Sequence, residues 1–132
     1  GRQLSLSFVS MGNPHAVYFI KQPVAGFPLC RIGPKVETAA IFPARTNFEV
    51  VRVLNRTEVE ARVWERGAGE TLACGSGACA VGVAAQILNL VGNPVKVSLP
   101  GGMLEVRWDK LGEVYLRGVA RTVFKGEFFN DN

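Results

Sequence analysis

The sequence has 132 residues, of which 48% are hydrophobic and 20% are charged, with a formal net charge of +4. This length and composition are typical of one compact domain with a sizeable core, and they exclude a disordered or fibrous chain. The 15 lysines and arginines are scattered rather than gathered in a basic stripe with interleaved aromatic residues, so we expect no nucleic-acid partner.

The predicted elements are mostly short strands separated by Gly, Pro and Asn turns. Strands are expected at residues 4–8, 16–20, 48–54, 58–64, 95–99, 103–108 and 114–121. A short helix is expected at residues 35–40, with Pro34 at its favoured first position and Pro43 beyond its end.

A second helix is predicted from the run at residues 78–90, which is apolar on nearly every side. Ser76 is a plausible N-cap, and the stretch Gly92-Asn93-Pro94 stops the helix. A helix that is apolar all round must be enclosed. We therefore predict an α+β fold in which a mixed, mostly antiparallel strand barrel is wrapped around one central apolar helix.

Cys74 lies at or just before the N-terminus of this helix, and Gly75 and Gly77, which follow it, let a ligand approach the backbone. Unpaired first-turn N–H groups and the helix dipole favour an anion there. They also lower the pKa of a thiol, so Cys74 is a candidate for proton transfer or nucleophilic attack. The alternative is an inert, buried cysteine in a Gly-rich turn.

The other two cysteines carry no recognisable site. Cys79 lies about 140° round the helix from Cys74 and is interpreted as a core residue. Cys30 is interpreted as a core or surface thiol. The spacing is not that of a zinc pair, so we expect no metal. An odd number of cysteines, no visible signal peptide and no membrane-spanning run predict reduced thiols in a cytoplasmic protein without a membrane partner.

Three polar clusters stand at strand ends or turns, where functional sites usually lie. Each has an ordinary structural reading as a turn opener, a satisfied histidine or a surface charge pair. Together they offer amides, an arginine for a carboxylate and an acid for an ammonium group, which suits a zwitterionic amino acid. The clusters are Asn13 with His15, Thr46 with Asn47, and Glu65 with Arg66.

The stretches MGNPH (11–15), RTNFEVV (45–51) and ERGAGETLACGSGACA (65–80), in this order and spacing, resemble the C-terminal half of the diaminopimelate epimerases. The resemblance extends over about residues 4–128. It implies an isomerase of lysine and peptidoglycan biosynthesis that interconverts LL- and meso-diaminopimelate, with neither pyridoxal phosphate nor any other cofactor. It also implies two catalytic cysteines, one on each face of the substrate α-carbon.

Residue roles follow from this resemblance position by position. Cys74 matches a catalytic cysteine, and His15 and Glu65 match residues that tune the thiol pKa values. The positions that match substrate-binding residues are Asn13, Asn47, Glu65, Arg66, Gly75 and Ser76.

The resemblance implies a fold of two similar domains with the active site in the cleft between them. Residues 1–132 would form a single domain, the C-terminal half, and the N-terminal half that carries the second cysteine is absent from this chain. We therefore expect the chain alone to be inactive or nearly so. A homodimer is a further expectation, with residues 119–124 pairing across a two-fold axis.

Two other functions remain open. One is a binding or interaction module of the same fold without catalysis. The other is a proline-racemase-like isomerase, against which the Glu65-Arg66 pair argues, because proline has no distal group for these side chains to hold.

Overall fold

The computed structural model describes residues 3–131. Over that part of the chain it contains two α-helices, a single 3₁₀ turn at Val24–Gly26 and eight strands. The helices are α1 (Leu29–Glu37) and α2 (Gly75–Ile87). The strands are β1 (Ser7–Ser10), β2 (Pro14–Phe19), β3 (Asn47–Asn55), β4 (Glu58–Glu65), β5 (Gly69–Thr71), β6 (Val95–Leu99), β7 (Gly102–Arg107) and β8 (Tyr115–Arg117).

The strands form one mixed sheet in the order β1-β2-β3-β4-β6-β7-β8, with the short β5 paired to β4. The β2–β3 and β4–β6 pairs are parallel, and the remaining pairs are antiparallel. The predicted hairpin is confirmed: β3 and β4 flank the turn at Asn55-Arg56-Thr57, with Phe48 opposite Trp64 at the far end. The sheet is therefore mixed and mostly antiparallel, as expected.

Helix α2 lies inside the curl of this sheet and packs against β1, β2, β3, β4, β6, β7 and β8. Its alanines and glycines keep it thin enough for the strands to close around it. A Cβ on Gly82 would lie 2.7 Å from Cγ1 of Val106, so only glycine lets β7 approach this closely. Valines of β3, β4 and β6 complete the core. The predicted wrapping of strands around one central apolar helix is confirmed, and the sheet that does so is a half-barrel.

Helix α1 packs on the other face of the sheet, and its predicted bounds are wrong. It begins at Leu29, and Pro34 lies inside it rather than at its first position. Leu29 and Val36 are buried in the cluster that contains Phe48. Because Leu29 is in the first turn, its burial stabilises that turn. Pro34 removes only one N–H, the one that would bond the carbonyl of Cys30.

Strand ends also differ from the predictions. The first strand is shifted to Ser7–Ser10, β5 was not anticipated, and the last strand ends at Arg117 instead of continuing to 121. Residues 118–131 form no strand, and their apolar side chains are exposed, including Phe124 and Phe128. Alternation alone did not make a strand there, because an isolated strand has no partner for its backbone groups. Neither α-helix of residues 3–131 has the length and hydropathy needed to cross a membrane.

Candidate active site

The candidate site lies at one end of the sheet, where the ends of three strands and one helix come together. Parallel strands β2 and β3 begin there, with His15 and Asn47 paired in register. Antiparallel β4 ends there at Glu65, and α2 begins there after Cys74. The topology thus brings together the three motifs that the sequence separates by up to 63 positions.

Cys74 itself caps helix α2, which corrects the prediction that Ser76 is the N-cap. The Sγ atom accepts a hydrogen bond from the Gly77 N–H at 3.3 Å, and the Cys74 carbonyl accepts from the Ala78 N–H at 2.9 Å. A sulfur acceptor satisfies the capping geometry that is usually supplied by oxygen. Ser76 is in the first turn, where its hydroxyl is available to other partners.

A continuous chain of side-chain contacts connects the thiol with the interior. Ser76 Oγ lies 3.5 Å from Cys74 Sγ and accepts from Asn13 Nδ2 at 3.4 Å. Asn13 Oδ1 lies 3.0 Å from His15 Nε2. His15 Nδ1 in turn lies 2.5 Å from Glu49 Oε1. Four of the predicted site residues are therefore in one hydrogen-bonded group, and its innermost member was not predicted.

The pKa of the Cys74 thiol is raised, contrary to the expectation from the helix N-terminus. Burial is the main cause, because it disfavours the charged thiolate. Hydrogen bonds from Ser76 and from the Gly77 N–H lower the pKa, but the negative charges of Glu65 and Glu49 raise it further. In this chain the thiol form of Cys74 is therefore favoured at neutral pH.

The remaining predicted residues lie around this group. Buried Asn47 donates to the Pro14 carbonyl at 3.0 Å and accepts from the Arg66 N–H at 2.8 Å, so it ties β2 to the turn after β4. Glu65 is half-buried. The Arg66 side chain is exposed and donates from Nη1 to the Ala44 carbonyl at 3.1 Å. Its predicted role toward a carboxylate stays a prediction.

Two buried glutamates were missed. Glu37 accepts hydrogen bonds from Trp64 Nε1, Arg45 and the Gly67 N–H, and these donors lower its pKa. It therefore fixes the turn that follows β4. Glu49 lies on β3, on the face that carries buried Val51. An acid on the inner face of an otherwise apolar strand was the sequence signal for Glu49.

Glu49 predicts a specific pH dependence of stability. Burial raises its pKa from 4.5 to about 7, against an opposing contribution from His15. Between these two values the folded state binds more protons than the unfolded state, so the stabilisation falls as pH rises. Wild type should therefore lose stability relative to Glu49→Gln between pH 5 and pH 8. The difference in their free energies of unfolding should change by up to about 3 kcal/mol.

Urea unfolding of both proteins at the two pH values measures that difference. Glu127→Gln is the matched control, because Glu127 is exposed in the C-terminal segment. A difference that is equal at pH 5 and pH 8 would show that Glu49 is ionised already at pH 5.

The other cysteines are partly accessible. Cys79 is half-buried, so its interpretation as a core residue is only partly right, and Cys30 is exposed. Burial and the neighbouring Cys74 raise the pKa of Cys79. Within residues 3–131, no group of three or more His, Cys, Asp or Glu side chains is arranged to hold a metal ion.

The half-barrel around a central helix defines the class of fold. A phenazine biosynthesis protein of the PhzF family from Bacillus anthracis matches it with a TM-score of 0.56 and 16% identity. The match covers 86% of this chain and 38% of that one. A putative phenazine biosynthesis protein from Clostridium difficile matches with a TM-score of 0.55, also at 16% identity, over 79% of this chain and 39% of that one. At this identity the likeness concerns the fold alone.

The sequence comparisons identify the family within this fold. The diaminopimelate epimerase family model matches residues 7–123, and the chain belongs to that family. It is 51% identical over 130 residues to the diaminopimelate epimerase of Desulfovibrio desulfuricans, which covers 98% of this chain and 45% of that protein. With the enzyme of Moorella thermoacetica it shares 50% over 121 residues, covering 91% and 43%. The chain thus spans less than half the length of these relatives.

Proposed function

We propose that this chain supplies one wall of an active site that interconverts LL- and meso-diaminopimelate by proton transfer between two cysteines. The observation that carries the proposal is the position of Cys74, which caps a helix N-terminus and is hydrogen-bonded into the Ser76–Asn13–His15 group. Membership of the diaminopimelate epimerase family supplies the substrate.

The N-terminus of α2 suits the α-carboxylate of the substrate. The Gly77 N–H bonds Cys74 Sγ, whereas the N–H groups of Gly75 and Ser76 have no helix carbonyl to bond. They would hold the carboxylate beside the thiol and stabilise the negative charge that develops on it as the α-proton leaves. Thiols and backbone donors suffice for this chemistry, so the proposed reaction uses neither a metal nor pyridoxal phosphate.

The proton transfer balances over two cysteines. In one direction the thiolate of Cys74 removes the α-proton: an S–H bond forms, and the electrons of the C–H bond remain on the α-carbon, conjugated with the carboxylate. A thiol on the opposite face then protonates that carbon and becomes a thiolate. In the other direction Cys74 is the acid, and its raised pKa favours the protonated form that this role requires.

The surrounding polar residues would recognise the rest of the substrate. Asn13 and Asn47 offer amides at the rim of the site, and Glu65 and Arg66 offer opposite charges for an ammonium and a carboxylate group. Glu65 also acts on the thiol, because its negative charge raises the pKa of Cys74. The pKa-modulating role of His15 would pass through Asn13 and Ser76.

The second catalytic cysteine must come from outside this chain. We infer that residues 1–132 are a single domain, the C-terminal half of a two-domain cytoplasmic enzyme whose N-terminal half closes the cleft. The exposed apolar side chains of residues 118–131 support a covering partner, either that half or a second copy in a homodimer.

The test uses the full-length gene product that contains this chain, incubated in deuterated water with LL-diaminopimelate and, separately, with proline. We expect deuterium at the α-carbon and formation of the meso product from diaminopimelate only, because proline has no distal group for Glu65 and Arg66. Exchange of proline instead would favour a racemase. Binding of diaminopimelate without exchange would favour a module that does no chemistry.

A further inference from the structure

We propose that buried Glu49 is a positioning residue of this site: with His15 it fixes the hydrogen-bond direction that reaches Cys74 through Asn13 and Ser76. The catalytic purpose of this arrangement rests on the proposed function, but the hydrogen bonds do not. The arrangement itself is a property of the residues described above.

The proton positions follow from the donors and acceptors. The amide nitrogen of Asn13 donates to Ser76 Oγ, so its Oδ1 faces His15 Nε2 and can only accept. His15 Nε2 must therefore carry a hydrogen. The 2.5 Å contact between His15 Nδ1 and Glu49 Oε1 then holds one proton, on the carboxyl group or on the imidazole. In either case the pair has no net charge.

This fixed direction matters at the thiol. With Asn13 donating to Ser76 Oγ, the Ser76 hydroxyl hydrogen is left to donate to Cys74 Sγ at 3.5 Å. That bond stabilises the thiolate. When Cys74 is a thiol, the hydroxyl can rotate and accept from S–H instead. Ser76 can therefore serve both protonation states, provided that Asn13 stays oriented.

The local packing places Glu49 directly beneath the start of α2. A Cβ on Gly77 would lie 3.3 Å from both Glu49 Oε1 and Cys74 Sγ, so glycine makes room for the two groups. Glu49 is fully buried, and its Oε2 has no hydrogen-bond partner among residues 3–131. A group in that state costs stability, so an apolar residue would suit a purely structural position better.

The titratable groups that face Glu49 come from three elements: His15 on β2, Glu65 on β4 and Cys74 at the start of α2. The pKa of Glu49, raised to about 7 by burial, matches a proton shared with His15 near neutral pH. Loss of Glu49 therefore has two separable effects on Cys74. Above about pH 7, where the pair has lost its shared proton, it removes a negative charge, which favours the thiolate. It also releases the orientation of His15, which disfavours the thiolate.

Two variants separate these effects in the full-length gene product. In Glu49→Gln the amide can donate to His15 Nδ1, so the direction of the relay is kept, while the negative charge that Glu49 carries above about pH 7 is lost. In Glu49→Leu both are lost. The readout is the rate of Cys74 alkylation by iodoacetamide between pH 6 and 10, followed by mass spectrometry without substrate. Glu60→Gln and Glu60→Leu are the controls, because Glu60 on β4 lies on the face of the sheet opposite to that of Glu49.

We expect Glu49→Gln to be alkylated at least as fast as wild type, and Glu49→Leu about tenfold more slowly below the thiol pKa, as for loss of one hydrogen bond to a charged group. The Glu60 variants should match wild type. If both Glu49 variants are alkylated faster, or both match wild type, the positioning role is wrong. Circular dichroism melts identify a Leu variant that fails to fold.

One measurement needs no Leu variant. Nitrogen NMR of wild type, with the His15 signal assigned from a His15→Gln spectrum, should show a protonated Nε2 at neutral pH. An unprotonated Nε2 would overturn the relay. Neither readout depends on turnover, so failure of the epimerase proposal in the deuterium experiment would be distinguishable from failure of this one.

Discussion

Cys74→Ala in the full-length gene product is expected to slow epimerisation of diaminopimelate by about 10²–10⁴-fold, the usual contribution of a positioned acid or base. The methyl group of alanine can neither accept nor deliver a proton. Because both directions of the reaction use Cys74, once as base and once as acid, both should be slowed. In deuterated water, the appearance of the inverted, α-deuterated product from each epimer, followed by NMR, measures both rates.

The control must separate chemistry from helix capping, because Cys74 Sγ also accepts the Gly77 N–H. Cys74→Ser keeps a capping acceptor but has a hydroxyl far too weakly acidic to replace the thiol at neutral pH. We expect it to be as stable as wild type and nearly as inactive as the alanine variant. Cys30→Ala, at an exposed cysteine, should retain full activity. Epimerisation that persists at the wild-type rate in Cys74→Ala would assign Cys74 a structural role.

The fold was largely predictable because one feature of the sequence dominates it. A helix that is apolar on every side must be enclosed on every side, and the other predicted elements of this chain are almost all strands. Ala and Gly at the helix surface allow these strands to approach. The hairpin of β3 and β4 was predictable from simple alternation around a polar turn. These are local signals that the core reinforces.

The elements that were predicted wrongly share a different cause. The bounds of each depend on a tertiary contact that the local sequence pattern does not contain. Helix α1 extends back to Leu29 since the sheet buries its first turn, and β8 stops early since no further strand pairs with its continuation. Short β5 exists only through its pairing with β4.

The candidate site was likewise predictable only in part. Its motifs were predictable because they combine reactive and polar residues at turns and strand ends, and the structure joins Asn13, His15, Ser76 and Cys74 in one group. The direction of the Cys74 pKa shift was not predictable, since it depends on how deeply the thiol is buried. The same holds for Glu49, whose role appears only when β2, β3 and α2 are brought together.

The 132-residue chain by itself is expected to give no detectable conversion of LL- to meso-diaminopimelate. Inversion requires that a proton leaves one face of the α-carbon and another arrives on the opposite face. The described wall offers Cys74 on one side only. Cys30 is exposed on α1, and Cys79 lies on α2, about 140° round that helix from Cys74. A carboxylate held at α2 would also remain in water, where stabilisation by N–H donors is weaker.

The measurement is an enzyme-coupled assay for the meso product, made on a chain that circular dichroism shows to be folded. Because the full-length gene product provides the opposite face, it should be active under the same conditions and is the positive control. A folded chain that binds diaminopimelate without converting it would agree with one intact wall and a missing acid. Turnover by the folded chain alone would mean that a single thiol and solvent suffice, and the two-cysteine mechanism would have to be abandoned.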